Sequence, residues 1–168
     1  VFLARCIRPR NPNEMEKYTH LLKPSDRILG HDFSTLHVLS EEGLAWIRRE
    51  SKNPLLNAAR FRPNIVVAGT EWPEEDVWKE FTVGDVELRS CKLCSRCAIP
   101  TIDEAGKLNK AFQPTATLRD VHSKPAVPDD RTSEPKPMFG LNVFHNPPSK
   151  GGASIALGDF VKVRSVRK

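Results

Sequence analysis

Val83-Gly-Asp-Val-Glu-Leu88 places a Gly-Asp pair between β-branched residues that alternate with polar ones, and Leu157-Gly-Asp-Phe-Val-Lys-Val163 echoes the arrangement near the other end of the chain. Glycine supplies the positive φ that tight turns demand, and alternation at period two leads out of the turn as a strand. Both segments therefore read as turns entering strands, although the echo is too short to be an internal repeat. A chain folded through such turns is built from short strands.

Working outward, Val1-Phe-Leu-Ala-Arg-Cys-Ile7 is β-branched and aromatic enough for a strand that Arg8-Pro-Arg-Asn-Pro12 ends. After the turn-rich stretch Pro24 to Thr35, Leu36-His-Val-Leu39 reads as a short strand. Ser40 then caps a helix: Glu41 and Glu42 fill its first turn, Leu44, Trp46 and Ile47 give an apolar face, and Lys52-Asn53-Pro54 stops it. Ile65-Val-Val-Ala68, bounded by Pro63-Asn64 and Gly69, is a continuous apolar run that predicts a strand buried on both faces. Trp72 to Phe81 opens with Pro73 and three acids and sets Val77 and Phe81 one turn apart, which predicts a helix of one or two turns.

Between Phe112 and Met138 lie five prolines and no periodicity, which predicts a long loop, either a lid or partly disordered. Phe139 to Phe144 and Ser154 to Val163 close the chain as strands. The sum is a mainly β, barrel-like domain with a few short helices, not a βαβ sandwich.

Composition narrows the function. The 168 residues give one ordinary domain, and 39% apolar with 28% charged residues excludes collagen, coiled coil and wholesale disorder. The longest apolar stretch, about Ile65 to Ala68, is far short of the roughly 18 residues of a membrane-spanning helix. The chain starts at Val1 with no signal-peptide pattern, as expected of a piece of a longer protein. A formal charge of +5 suggests an anionic partner. Nucleic acid is disfavoured, because the aromatic residues show no interleaved aromatic–basic stacking pattern. The cysteines cluster instead of spreading as a disulfide framework, which points to an intracellular, reducing compartment.

That cluster, Cys91-Lys-Leu-Cys94-Ser-Arg-Cys97, carries several readings. An iron–sulfur site of the C-x2-C-x2-C-x3-C kind lacks its fourth cysteine, because Thr101 stands there. A zinc ribbon needs a second cysteine or histidine pair, and His122 and His145 are isolated. A single thiolate can instead ligate a soft metal held mainly by another ligand set, with Arg96 favouring the charged form. On spacing alone, buried inert thiols outrank all three.

Other motifs bear on the choice. Arg60-Phe-Arg-Pro-Asn-Ile-Val-Val67, Glu75-Asp76 with Trp78, Val83-Gly-Asp85, Cys94-Ser-Arg-Cys97 with Pro100-Thr-Ile-Asp103, Phe139-Gly-Leu-Asn142 and Leu157-Gly-Asp159 occur in one order. That order and spacing resemble the MOSC domain, the C-terminal domain of molybdenum cofactor sulfurases and the main part of the amidoxime-reducing components. The resemblance covers about residues 30–168, with a proline-rich loop at about 112–138; residues 1–29 are then the tail of an upstream β-barrel domain or a linker. It implies a β-barrel-like fold and a molybdenum–pterin cofactor (molybdopterin).

Carried onto this sequence, the resemblance makes Cys97 the molybdenum ligand and catalytic thiolate. Arg62 and Asn64 match cofactor-contacting positions, and Ser34 matches less closely. Of the two arginines around Phe61, only Arg62 matches such a position. A guanidinium suits the terminal phosphate of the pterin. Cys91 and Cys94 are expected to be packed or supporting thiols, and Thr101 and Asp103 to orient the Cys97 loop.

The implied activity is an oxidoreductase that reduces N-hydroxylated compounds, with electrons from a separate haem or flavin protein. The alternative is the cofactor-binding module of a molybdenum cofactor sulfurase, supplied with sulfur by a pyridoxal-phosphate domain. Pro100-Thr-Ile-Asp103 favours the reductase. Mitochondrial and cytoplasmic addresses both stay open.

Overall fold

The computed structural model describes residues 21–23, 26, 34–103, 105–111, 113–127, 134–145 and 152–167; the strand expected at Val1 to Ile7 lies outside them. β1 (Leu36–Ser40) delivers the chain directly into α1 (Glu41–Glu50). Ser40 Oγ accepts the Gly43 amide at 2.9 Å, as its place in the sequence predicts. Glu41 and Glu42 in the first turn and Arg48 and Arg49 in the last complement the helix dipole. Leu44 and Ile47 pack with Leu39, Leu56, Phe61, Leu118 and Phe139 in a core on the helical side of the sheet.

β2 (Ile65–Val67) pairs with β1 in parallel, so one crossover unit, β1-α1-β2, sits in an otherwise antiparallel sheet. The expectation that this strand is buried on both faces is corrected. It forms the sheet edge, and Val66 is 42% exposed. An apolar run carries no mark that separates an edge strand from a central one.

β3 (Trp78–Val83) and β4 (Val86–Ser95) form the expected hairpin, with Val83 opposite Val86 and Gly84 at φ +53° between them. Its turn packs on the second Gly-Asp segment. Gly84 N–H donates to the Phe160 carbonyl at 3.0 Å, and a Cβ on Gly84 would lie 2.6 Å from Asp159 Oδ2. The strand expected from Ser154 starts only at Val161, where β7 (Val161–Val166) joins β3.

The helix expected over Trp72 to Phe81 is a single 3-10 turn, Glu74–Val77, after which the chain is already β3. Irregular register against β7 around Glu80 breaks the two-residue period and leaves buried Trp78 and Phe81 three apart, a helix-like spacing. The expected long loop also holds structure: α2 (Thr115–Val121) and β5 (Ser123–Lys124), with Leu118, His122 and Ala126 buried. α2 buries Thr115 and Thr117 beside Leu118, so no apolar stripe announces it.

β6 (Lys136–His145) runs through the middle of the sheet, whose order is β2-β1-β6-β4-β3-β7 with β5 on β6. The sheet curls into a half-barrel, in keeping with the mainly β expectation. Met138, Leu141 and Val143 of β6 join Val38, Phe81 and Leu93 in the main core, while Phe139 belongs to the helical-side core.

Candidate functional site

A cleft of about 310 Å³ opens beside β1, where β4 leaves the sheet, and Ser34, Arg62, Asn64 and Cys97 all line it. Residues separated by as many as 63 positions thus share one space, because β1 lies between β2 and β6, and β6 in turn pairs with β4.

Arg62 follows the 3-10 turn Ala58–Phe61 in the left-handed conformation, φ +57°, and its amide donates to the Ala59 carbonyl at 3.1 Å. Its guanidinium is exposed and has no acceptor among the described residues. Asn64 is held to β1: its Oδ1 accepts the His37 amide at 2.8 Å. That leaves the side-chain amide nitrogen as its group free to donate to a ligand. Ser34 is buried; its hydroxyl lies 2.7 Å from the Leu36 carbonyl and 3.1 Å from Asn142 Oδ1, so it shapes the floor of the cleft.

Cys97 stands just past β4 with its thiol exposed. Its loop is braced from both sides: Thr115 Oγ1 donates to the Cys97 carbonyl at 3.1 Å, and Thr101 donates to the Ala98 carbonyl through its hydroxyl at 2.5 Å and its amide at 2.9 Å. Thr101 therefore does orient the loop. Asp103 does not. It organises the following turn, where its Oδ1 accepts the Lys107 amide at 2.8 Å.

The other two thiols have different surroundings. Cys91 is buried beside Phe144, where burial pushes its thiol up to about 12. Cys94 lines the cleft. Burial raises its pKa, yet the hydrogen bond from His37 and the charges of Arg96, His37 and Lys92 outweigh that and bring it down to about 6. The sequence reading has Arg96 favour the charged form of a ligating thiol; in the structure its Nη1 donates to Cys94 Sγ at 3.0 Å.

His37 is a site residue that no motif announces, whereas Cys94 and Asn142 stand in the quoted motifs and the fold brings both into the cleft. Gly140, at φ +79°, makes room for the His37 ring: a Cβ there would lie 2.5 Å from His37 Nε2. Chemically, the cleft sets an accessible thiol and an unpaired guanidinium on one open face. Such a pair suits a ligand that is anionic at one end and carries a soft metal at the other.

Comparison with known proteins agrees with the motif order. Residues 25–162 match the MOSC domain family. Human mitochondrial amidoxime-reducing component 1 is 36% identical over 159 residues, which cover 92% of this chain and 43% of that protein. Rat mitochondrial amidoxime reducing component 2 is 33% identical over 130 residues, covering 73% of this chain and 38% of its own. Molybdenum cofactor sulfurase of Arabidopsis thaliana is 38% identical over 91 residues, covering 48% of this chain and 11% of the plant protein. The chain spans less than half the length of these relatives.

Proposed function

From the premise that this chain belongs to the MOSC domain family, we propose that it is the cofactor-binding part of a molybdenum-dependent reductase of N-hydroxylated compounds. The observation that carries the reading is the convergence of Cys97, Arg62, Asn64 and Ser34 on one cleft. The donor set fits a molybdenum–pterin group. Cys97 offers an exposed thiol, the Arg62 guanidinium is uncommitted, and Asn64 keeps a donor.

In this reading Cys97 is the metal ligand, Arg62 pairs with the phosphate end, Asn64 donates from its amide nitrogen, and Ser34 supports the floor through Leu36 and Asn142. When bound, the molybdenum–pterin group supplies the two-electron chemistry that removes oxygen from an N–OH group. Thr115 and Thr101 brace the Cys97 loop.

The electron donor is a separate haem or flavin protein, and an upstream domain of the same polypeptide completes the cofactor site. Relatives named mitochondrial make that compartment the one to test. Among the described residues no helix is long and apolar enough to cross a membrane. A second reading, the cofactor-binding module of a sulfurase, draws on the Arabidopsis match.

The test takes the full-length protein, assays molybdenum and pterin, and follows reduction of benzamidoxime with a supplied electron donor. Stoichiometric molybdenum with turnover supports the reductase. Molybdenum without turnover, together with sulfur transfer from cysteine, supports the sulfurase. Zinc or iron in place of molybdenum overturns both.

A further inference from the structure

The loops that bear Arg62 and Cys97 are tied together by two arginines that cross between them in opposite directions. From the first loop, Arg60 donates Nε and Nη2 to the Pro100 carbonyl, at 3.2 and 2.9 Å. From the second, Arg96 Nη2 donates to the Phe61 carbonyl at 3.0 Å, and its guanidinium lies 5.3 Å above the Phe61 ring. Neither guanidinium forms an ion pair with a carboxylate among the described residues; Arg60 is committed to the Pro100 carbonyl, whereas Arg96 divides its donors between the Phe61 carbonyl and Cys94 Sγ.

Arg60 has the more direct mechanical position. A carbonyl that receives two nitrogens of one planar guanidinium is fixed in direction as well as distance. Pro100 is buried at the base of the Cys97 loop, inside the short 3-10 turn Ile99–Thr101. On the near side, Arg60 lies within the turn Ala58–Phe61, which leads into the left-handed Arg62. The contact therefore spans the gap between the group assigned to the phosphate and the group assigned to the metal.

We propose that Arg60 is a positioning residue: through the Pro100 carbonyl it sets where the Cys97 thiol stands relative to Arg62 and Asn64. It touches no ligand itself. The inference rests on the proposed function for its consequence, metal retention, but its geometric half can be read without any metal.

The experiment uses the full-length protein, with peptide-resolved hydrogen exchange on one arm and molybdenum content on the other. Arg60→Ala should speed exchange over Cys97 to Ile102 about tenfold, leave the β3–β4 hairpin unchanged and lower molybdenum per chain several-fold. Arg60→Lys, which can place one donor on the same carbonyl, should recover part of both effects. Arg62→Ala should lose molybdenum with exchange over Cys97 to Ile102 unchanged.

Unchanged exchange in Arg60→Ala overturns the proposal. So does uniform loosening of the whole sheet, or wild-type molybdenum despite a loosened loop. Should Arg60→Ala not fold, Arg60→Gln and Arg60→Lys carry the same comparison. A wild-type protein without molybdenum would remove the proposed function. The exchange arm would then still decide whether Arg60 holds the Cys97 loop.

Discussion

His37 and Asn64 hydrogen-bond to each other in both directions: the His37 backbone N–H donates to Asn64 Oδ1 at 2.8 Å, and the Asn64 backbone N–H donates to the His37 carbonyl at 2.8 Å. The pair extends the β1–β2 pairing beyond Val38 and Ile65 and sets Asn64 at the mouth of the cleft. One side chain thus has two separable duties, an oxygen for the fold and a nitrogen for a ligand.

That division predicts that Asn64→Ala and Asn64→Asp behave differently. Alanine leaves the His37 amide without its acceptor, which costs about 1–3 kcal/mol in a denaturation experiment. Aspartate keeps an acceptor for that amide and should stay within about 0.5 kcal/mol of wild type. It also replaces the donor by a negative charge facing an anionic ligand, so molybdenum retention should fall as far as in the alanine variant. Equal molybdenum content in Asn64→Asp and wild type would detach Asn64 from ligand binding.

The two thiols on β4 should differ sharply toward iodoacetamide. Cys94, brought down to about 6 against its burial by the His37 hydrogen bond and the Arg96 charge, should be carboxamidomethylated with a reactivity midpoint close to that pH. Cys91, pushed up to about 12 by burial, should stay unmodified until the protein unfolds. Arg96→Gln should move the Cys94 midpoint upward. Peptide mapping that finds Cys91 and Cys94 labelled at similar rates in the folded protein would contradict this account of the cleft.

How far the sequence carries the fold depends on the range of each signal. Ser40 caps its helix and Gly84 turns its hairpin because both acts are local. Pro73, the three acids and the Val77–Phe81 spacing are local helix signals and yield the 3-10 turn Glu74–Val77, but where β3 takes over is set in part by pairing with β7, distant in sequence. α2 was illegible because it buries threonines.

At the cleft, Cys97, Arg62 and Asn64 were legible through their motifs. Arg96 is adjacent to Cys97 in sequence, but its partners, Cys94 Sγ and the Phe61 carbonyl, depend on where its long side chain reaches once β4 has ended. His37 belongs to the site only because Gly140, on another strand, leaves space for its ring.

Glu75 should make folding stability fall with rising pH. It is fully buried, Ser40 Oγ donates to its Oε1, and its Oε2 has no partner. Burial, with smaller repulsion from Asp76 and Glu42, raises its pKa from 4.5 to about 7. The folded form therefore holds the proton more tightly than the unfolded chain. Its contribution is complete below about 4.5 and is lost as pH rises through about 7, a change of roughly 3 kcal/mol. Urea denaturation between about pH 5 and about pH 8 should show this slope. Glu75→Gln should flatten it. A variant with the wild-type slope would place the titration elsewhere.

The three cysteines give the last test, because each reading of the cluster predicts a different pattern. Cys97 is exposed and carries no packing, so Cys97→Ser should leave stability within about 0.5 kcal/mol. A hydroxyl is a poor substitute for thiolate toward a soft metal, so the same variant of the full-length protein should lose molybdenum and turnover. Cys91→Ser should do the reverse. It replaces a buried thiol that packs with Phe144 by a smaller, more polar hydroxyl that can still donate to the Asn142 carbonyl, so it should cost about 1 kcal/mol, with molybdenum retained. Cys94→Ser should change the reactivity of the cleft toward iodoacetamide and leave the metal in place. Joint ligation of zinc or an iron–sulfur cluster would instead make all three variants release metal alike. Inert packing thiols would make none of them alter the site. Normal molybdenum occupancy and turnover in Cys97→Ser would remove Cys97 from the mechanism.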